Sequence, residues 1–257
     1  MSEQMSLAVE LEETVGFRAF EQKSYTQGFK RVAGIDEVGR GPLAGPVVAA
    51  AVVLRREYSH PEIKDSKLLS VKQRESLAPL IQENAAECAI GIVGIDEIDR
   101  LNIQQASLLA MVKAIAGLAR KPDCMLIDGN QSIPAALFRM AEFSAGVKIY
   151  QKTIIKGDRL CLSIAAASIV AKVARDAIMI EYDKLYPQYG FAEHKGYSTE
   201  RHLAALMEHG PCPLHRRSFA PIKPRPAPAP ELFSFKATAA SKEGSRIYEL
   251  RRPSSSA

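Results

Sequence analysis

Four acidic residues stand where an otherwise apolar sequence would not be expected to carry charge. Asp36 and Glu37 lie inside an apolar run typical of a β-strand, Asp128 closes a second such run, and Asp158 precedes a long alanine-rich segment. A single aspartate at a strand end most often caps a turn. Several buried carboxylates without partners are costly, however, and require a cation or a helix N-terminus. We therefore expect the four side chains to share a cation.

Carboxylates are the ligands that hard divalent ions such as Mg²⁺ and Mn²⁺ prefer. Two such ions about 4 Å apart can activate a water and stabilise the leaving oxygen in phosphodiester hydrolysis. One geometric difficulty is that adjacent side chains on a regular strand point to opposite faces, so Asp36 and Glu37 could not face one site. Gly39 and Gly41 follow directly and predict a bulge or a strand end there.

The glycine-rich segment GRGPLAG (39–45) has two interpretations. A dinucleotide-binding loop would need a helix after it, but Pro42 and the strand-like run from Val47 occupy that place. The favoured interpretation is close approach of the backbone at Gly39 and Gly41 to a sugar and its phosphates, with Arg40 contacting a phosphate.

Two further segments are rich in polar and basic groups. GFAEHKGYST (190–199) is predicted to be a loop before a helix. It is either a connector with a packed Tyr197 or a surface on which Tyr197 stacks on a sugar or base while Lys195 and His194 hold phosphate. HRRSF (215–219) is a small basic patch, which is weak evidence on its own.

The periodicity of apolar residues predicts five strands alternating with helices, in the order of an α/β or α+β domain. Strands are expected at 31–38, 47–54, 88–94, 124–128 and 146–150. Helices are expected at 70–87 with a kink at Pro79, at 102–119, at 160–186 and at 198–210. The expected fold is a mixed five-stranded sheet flanked by helices.

Composition is consistent with a large buried core, since 47% of the 257 residues are hydrophobic. No apolar stretch is long enough to span a membrane and the first twenty residues lack a signal-peptide pattern, so a cytoplasmic protein is expected. The four cysteines form no C-x-x-C pair and are predicted to be reduced core residues.

The chain ends are predicted to differ from the central domain at 31–221. Residues 1–30 are expected to form a short, acidic, partly helical extension. Residues 222–257 hold seven basic and three acidic side chains, so this tail carries +4 of the net charge of +5. Five prolines between positions 221 and 230 predict a stiff linker, with disorder from about residue 225.

Seven motifs, in order, resemble bacterial ribonuclease HII over about residues 30–221. They are GIDEVGRGPLAGPVVAAAVVL (34–54), DSKLLS (65–70), LIDGN (126–130), KGD (156–158), SIAAASIVAKVARD (163–176), YPQYGFAEHKGYST (186–199) and HRRSF (215–219). The resemblance implies a ribonuclease H-like fold.

The resemblance also implies roles for individual residues. Asp36, Glu37, Asp128 and Asp158 would bind Mg²⁺ or Mn²⁺ and carry catalysis. Gly39, Arg40 and Gly41 would recognise the ribose 2′-hydroxyl at an RNA-to-DNA junction; Tyr197 would pack against the following deoxyribose, and Ser66 and Lys67 would contact phosphates.

The implied substrates are RNA–DNA hybrids and single ribonucleotides embedded in duplex DNA. Cleavage in this family is on the 5′ side of the ribonucleotide and leaves a 3′-hydroxyl and a 5′-phosphate.

Two alternatives stay open at this point. Ribonuclease HIII shares the fold, but it has an added N-terminal domain and usually a lysine at the place of Arg40. A non-catalytic nucleic-acid-binding module would not need all four carboxylates. We expect a monomer, and PELFSF (230–235) is a weaker candidate for a sliding-clamp docking peptide.

Overall fold

The computed structural model describes residues 16–140 and 149–222, together with the backbone of 234–237 and 248–251. Its centre is a five-stranded sheet in the order β3-β2-β1-β4-β5. The strands are β1 (Val32–Val38), β2 (Val47–Leu54), β3 (Ala85–Val93), β4 (Cys124–Asp128) and β5 (Tyr150–Ile154). Strands β1 to β3 pair antiparallel, whereas β4 is parallel to both β1 and β5. The predicted mixed five-stranded sheet is confirmed.

Helices cover both faces of this sheet. They are α1 (Ala19–Thr26), α2 (Val71–Asn84), α3 (Ile95–Leu101), α4 (Ile103–Gly117), α5 (Ala135–Met140), α6 (Gly157–Leu160), α7 (Leu162–Leu185), α8 (Phe191–His194) and α9 (Glu200–His209). Because the glycines after β1 lead into β2 rather than a helix, the dinucleotide-loop interpretation is excluded.

One glycine on each face of the sheet lets a helix approach the strands closely. A methyl group at Gly34 in β1 would overlap the main chain of Ser163 in α7, and one at Gly91 in β3 would overlap the main chain of Ala110 and Ala114 in α4. The alanine-rich part of α7 at 165–167 is fully buried on the Gly34 side. The small residues of this helix therefore do pack closely on the sheet, as predicted.

Capping residues located the starts of two helices correctly. The capping box of Ser70 and Gln73 starts α2, and Asn102 caps α4 by accepting from the N–H groups of Gln104 and Gln105 at 3.0 and 3.1 Å. Helix α2 continues through Pro79 and ends at Asn84. Helices α3, α5 and α6 were not predicted, and neither was α8, which lies within the segment 190–199 that was expected to be a loop.

The fifth strand was predicted too early in the chain. It runs from Tyr150 to Ile154, where the adjacent polar residues Gln151 and Lys152 interrupt the apolar pattern; of the predicted span 146–150, the described residue Tyr150 belongs to it and Ile149 does not. The reason is its position at the edge of the sheet, where a strand needs fewer apolar side chains. Residues 141–148 lie outside the described residues.

The N-terminal segment packs against the core from residue 16 onward. The main-chain oxygen of Phe17 accepts from Leu162 N–H at 2.8 Å, and the buried Glu21 carboxylate accepts from Ser163 N–H at 2.7 Å. These are the first N–H groups of α7, which no residue of that helix can satisfy. Helix α1 therefore caps the long central helix, a role that its sequence did not predict.

Two short segments of the tail have a described backbone. The backbones of β6 (Ser234–Ala237) and β7 (Tyr248–Arg251) pair antiparallel. Both segments alternate polar with apolar residues, a pattern that favours strands and that the proline-rich linker before them obscured. The rest of 223–257 lies outside the described residues.

None of the helices in the described parts of the chain combines the length and apolar character that a membrane span requires. The four cysteines are free and buried, as predicted.

We expect Gly34→Ala to lower the free energy of unfolding by about 1–3 kcal/mol or more, because the added methyl group meets main-chain atoms that cannot move aside. Gly16→Ala is the control, since its methyl group would meet nothing. Denaturant unfolding of both variants measures the difference, and equal midpoints would contradict the close packing of α7 on β1.

Candidate active site

Two parallel strands and one short helix bring the predicted carboxylates together. In the register of β1 with β4, Ile35 lies beside Ile127, so Asp36 and Asp128 follow at the same edge of the sheet. Helix α6 supplies Asp158, and its first residue, Gly157, donates its N–H to Asp128 Oδ1 at 2.7 Å. Three segments from distant parts of the sequence thus converge at the carboxyl ends of β1 and β4.

Of the two alternatives predicted from Gly39 and Gly41, the strand end is observed, because β1 ends at Val38, directly before Gly39. The bulge is absent, since β1 pairs with β2 in regular register through Val38. The two side chains therefore point to opposite faces. Asp36 lies on the α7 side, where Ser168 bonds to it, and Glu37 lines a cleft with Asp128 and Gln104. The acidic cluster straddles the end of the sheet.

Burial and mutual repulsion raise the pKa values of three of these carboxyl groups. Burial, with the charges of Glu37 and Asp128, holds the pKa of Asp36 well above its ordinary value. Burial also raises the pKa of Glu37, with Asp128 adding to the rise and Arg40 opposing it. The pKa of Asp128 is raised by burial and by the charge of Asp158. A cation bound at this edge of the sheet would favour the ionised form of all three carboxyl groups and lower their pKa values.

Basic side chains partly neutralise the cluster in this structure. Arg40 Nη1 lies 3.3 Å from Glu37 Oε1, and Lys67 Nζ lies 3.4 Å from Asp158 Oδ2. Within the described residues, no three His, Cys, Asp or Glu side chains are already arranged around one metal position. The donor set still fits a hard divalent ion, since every acidic group of the cluster offers carboxylate oxygens.

The two residues predicted to contact phosphates differ in exposure. The Lys67 side chain is 79% exposed. Ser66 is buried, and its hydroxyl lies 2.9 Å from that of Ser168, which in turn bonds to Asp36. A side-chain contact of Ser66 with phosphate is therefore not favoured; the hydroxyl instead supports Asp36 through Ser168.

The glycine loop and Tyr197 lie side by side. A methyl group at Gly41 would lie 3.6 Å from Tyr197 Cε1, and the Tyr197 side chain is 43% exposed. Main-chain hydrogen bonds join the two segments, with Leu43 N–H donating to Gly196 O at 2.8 Å. The exposed faces of Gly41 and Tyr197 thus form one surface.

Two arginines, both fully buried, hold the glycine loop from behind, and sequence reasoning missed them. Arg216 donates to the main-chain oxygens of Gly39 at 2.6 Å, Arg40 at 3.0 Å and Gly45 at 2.8 and 2.9 Å. Arg175 donates to Ala44, Pro46 and Lys195 oxygens at 3.1, 3.0 and 3.0 Å.

Burial lowers the pKa of Arg175 to about 10 and, together with the charge of Arg175, that of Arg216 to about 9. Both guanidinium groups therefore remain charged at neutral pH. Arg175 could have been found from its helical spacing after the buried Ala167 and Ala171 of α7.

Two interpretations made from the sequence are wrong. HRRSF is not a basic patch, because His215 and Arg216 are fully buried. His194 is also buried and bonds to the oxygen of Tyr189 at 2.7 Å, so it is not placed to hold a phosphate. Lys195 donates to the oxygen of Ala192.

We expect Asp36→Asn to stabilise the metal-free protein and raise its melting temperature at neutral pH, because the change removes a buried charge that lies among like charges. A raised carboxyl pKa means that the folded state binds more protons than the unfolded chain above about pH 4, so stability falls as pH rises through the raised value. Asparagine removes this loss and can still accept from Glu37 N–H, now at 2.7 Å.

Thermal unfolding in chelator at several pH values between about 4 and 8 measures this effect. Glu57→Gln, at an exposed position, is the control. A lower melting temperature of Asp36→Asn at every pH would show that the carboxylates do not repel one another.

Comparison with known proteins places the chain in a family. The ribonuclease HII family model matches residues 33–222. Ribonuclease HII of Syntrophobacter fumaroxidans is 50% identical over 234 residues, 91% of this chain and 93% of that protein. Ribonuclease H2 of Pyrococcus horikoshii is 29% identical with a TM-score of 0.61, covering 74% of this chain and 94% of its own.

A second solved structure is that of the PCNA:RNase HII complex from Archaeoglobus fulgidus, whose matching chain is 27% identical with a TM-score of 0.58 and covers 77% of this chain and 98% of its own. The ribonuclease H-like fold is thereby confirmed, and the match to the ribonuclease HII model disfavours ribonuclease HIII. The chain belongs to the ribonuclease HII family of type 2 ribonuclease H endonucleases.

Proposed function

We propose that this ribonuclease H hydrolyses the RNA strand of RNA–DNA hybrids and also cuts duplex DNA on the 5′ side of a single embedded ribonucleotide. The products are a 3′-hydroxyl and a 5′-phosphate. The observation that carries the proposal is the convergence of Asp36, Glu37, Asp128 and Asp158 at one edge of the sheet, with the Gly41–Tyr197 surface on the adjoining loops.

The four carboxylates are proposed to hold two divalent ions, Mg²⁺ or Mn²⁺. Such ions activate a water and stabilise the leaving oxygen of the phosphodiester. Burial and like charge raise the pKa values of Asp36, Glu37 and Asp128, so the ionised carboxylates destabilise one another. Bound divalent ions would remove this repulsion, which favours their binding. The N–H group of Gly157 fixes the Asp128 carboxylate from the α6 side.

Arg40 and Lys67 are proposed to transfer from carboxylate to phosphate as substrate and metal bind. Each lies 3.3–3.4 Å from a carboxylate oxygen of the cluster. Both side chains are more than half exposed, so their ends can turn toward a nucleic-acid backbone. A divalent ion would compete for the same carboxylates and leave both cations for phosphates.

Recognition of the 2′-hydroxyl is proposed to come from the main chain of Gly39, Arg40 and Gly41. Because Arg216 binds the oxygens of Gly39 and Arg40 from the protein interior, the loop conformation is fixed with those carbonyls directed inward. Main-chain groups of this loop other than those two carbonyls can then face a ribose on the outer side. The Tyr197 ring is proposed to pack against the deoxyribose that follows, and the protein is proposed to act as a monomer.

We expect the protein to make a single cut 5′ of the ribonucleotide in duplex DNA that contains one ribonucleotide, and several cuts in an RNA strand paired with DNA. Gel analysis of end-labelled strands, in Mg²⁺ and in Mn²⁺, locates the cuts. Asp128→Asn should lower the rate by at least about 100-fold, more than loss of a residue behind the metal ligands typically costs.

Binding of uncleaved duplex in chelator provides the control, because Asp128→Asn should bind as tightly as wild type. Cleavage on the 3′ side of the ribonucleotide, or full activity of Asp128→Asn, would refute the proposed reaction.

We also propose that PELFSF (230–235) docks on a sliding clamp. The archaeal relative in complex with PCNA favours this. The segment lies outside the described residues except for the backbone of Ser234 and Phe235. Its apolar side chains follow the proline-rich linker, and an apolar peptide in such a position can enter a groove on a partner.

We expect Phe233→Ala to weaken binding to a bacterial sliding clamp about tenfold or more, because a buried aromatic anchor dominates a short peptide interface. Ile247→Ala, another apolar truncation in the tail, should leave affinity unchanged. Calorimetric titration measures both, and cleavage of a short duplex without clamp should be equal in the two variants. Equal clamp affinity of Phe233→Ala and wild type would refute the docking site.

A further inference from the structure

Three buried histidines lie directly behind the loop that carries Tyr197. His202 in α9 and His215 are fully buried, and His194 is 8% exposed. The rings of His194 and His202 stack with centroids 4.4 Å apart, and Nε2 of His202 lies 3.0 Å from Nε2 of His215. The proposed reaction assigns no role to these side chains.

Hydrogen bonds to the backbone determine which nitrogen of each ring carries the proton. The Tyr197 oxygen lies 2.9 Å from His202 Nδ1 and can only accept, so His202 carries its proton on Nδ1, and in the neutral ring Nε2 is unprotonated. His202 Nε2 therefore accepts from Nε2–H of His215 at 3.0 Å. Neutral His215 then has an unprotonated Nδ1, which accepts from Cys212 N–H at 3.0 Å; Cys212 Sγ and O lie 3.2 and 3.3 Å from the same nitrogen.

His194 is fixed by the same logic. Gly196 N–H donates to its Nδ1 at 3.2 Å, which leaves Nε2–H to donate to the oxygen of Tyr189 at 2.7 Å. The peptide unit between Lys195 and Gly196 and the oxygen of Tyr197 are thus both bonded to imidazole rings. Gly196 O accepts from Leu43 N–H, which connects the same backbone to the glycine loop.

We propose that His202 and His215 are positioning residues, which hold the Tyr197 ring against Gly41 through a directed chain of hydrogen bonds from Cys212 N–H to Tyr197 O. This inference rests on the proposed contact of Tyr197 with substrate. This chain of hydrogen bonds exists only while both rings are neutral. A second proton on His215 would face Cys212 N–H, and a second proton on His202 would face His215 Nε2–H.

The surroundings keep both rings neutral. Burial, then the neighbouring His202, lowers the pKa of His215 to about 3, and burial lowers the pKa of His202. The groups that face the pair are His194, Cys212, Arg217 and the ring of Tyr189. None of these is a carboxylate that would stabilise an added proton.

The tautomers can be measured on the unmodified protein. Long-range ¹H–¹⁵N correlation spectra distinguish the two neutral forms of each imidazole, and the chain has only five histidines. At neutral pH we expect His202 in the Nδ1–H form, and His194 and His215 in the Nε2–H form. Finding His202 in the Nε2–H form, or as a cation, would overturn the proposed chain.

The effect on recognition is tested with two variants of nearly the same shape. His202→Asn keeps a donor for Tyr197 O, whereas His202→Leu does not. We expect His202→Leu to lower the preference for a single-ribonucleotide duplex over an all-RNA strand by about threefold to tenfold, the equivalent of one lost hydrogen bond. His202→Asn should retain most of the preference.

A double variant separates this inference from the proposed role of Tyr197. If His202 acts through Tyr197, then His202→Leu should have no further effect on the preference when Tyr197→Ala is present. If Tyr197→Ala alone leaves the preference intact, the proposed substrate contact has failed. If Tyr197→Ala loses the preference but folded His202→Leu keeps it, the positioning role is refuted while the function stands.

Discussion

Burial of negative charge at the ends of β1 and β4 is the constraint that the rest of this fold has to satisfy. Asp36 is only 7% exposed and lies among like charges that raise its pKa. Carboxylates in such a place remain there only if the surrounding main chain is rigid and supplies hydrogen bonds. The N–H groups of Glu37 and Gly157 supply two of them. The rigidity comes from the sheet, in which every residue of β2 is buried, and from helices packed against glycines.

The opposite charge is buried on the other side of the glycine loop. Arg175 and Arg216 have no exposed surface, and their hydrogen bonds run to main-chain oxygens of the loop and its neighbours. Each carbonyl dipole points its negative end at a guanidinium group, so the charges are stabilised and the loop conformation is fixed by the same contacts. A planar fork with five donors can satisfy several carbonyls at once, which a lysine ammonium cannot do in this geometry.

Local patterns in the sequence predicted the part of the site that depends on strands. The apolar runs around Asp36 and before Asp128 predict two strands, with Asp36 near the end of the first and Asp128 at the end of the second, and parallel pairing of β1 with β4 then brings them together. Whether Asp36 and Glu37 share a face could not be predicted, because it depends on whether β1 contains a bulge between them, and the structure has none. The edge strand β5 was displaced in the prediction because its polar residues weaken the apolar signal.

The parts that the sequence did not predict depend on contacts between distant residues. A charged residue such as Arg216 resembles a surface residue until the carbonyls that it binds, from residues 170 or more positions earlier, are known. The same holds for His194, His202 and His215, whose partners are backbone groups of other segments. The docking of Glu21 on the start of α7 spans 142 positions. No local periodicity carries such information.

The proposed catalysis and the proposed recognition of a ribonucleotide depend on different parts of the chain. The carboxylates come from β1, β4 and α6; the strand pairing of β1 and β4 and the turn of α6 involve only residues up to 161. The glycine loop is set by Arg175 and by residues 195–216, so Arg216 reaches Arg40 across 176 positions. Discrimination of one hydroxyl requires donors and acceptors at fixed positions, because a mobile loop would bind ribose and deoxyribose with little difference. The last part of the core, which holds no acidic residue of the cluster, is therefore the part that makes the proposed recognition of a ribonucleotide possible.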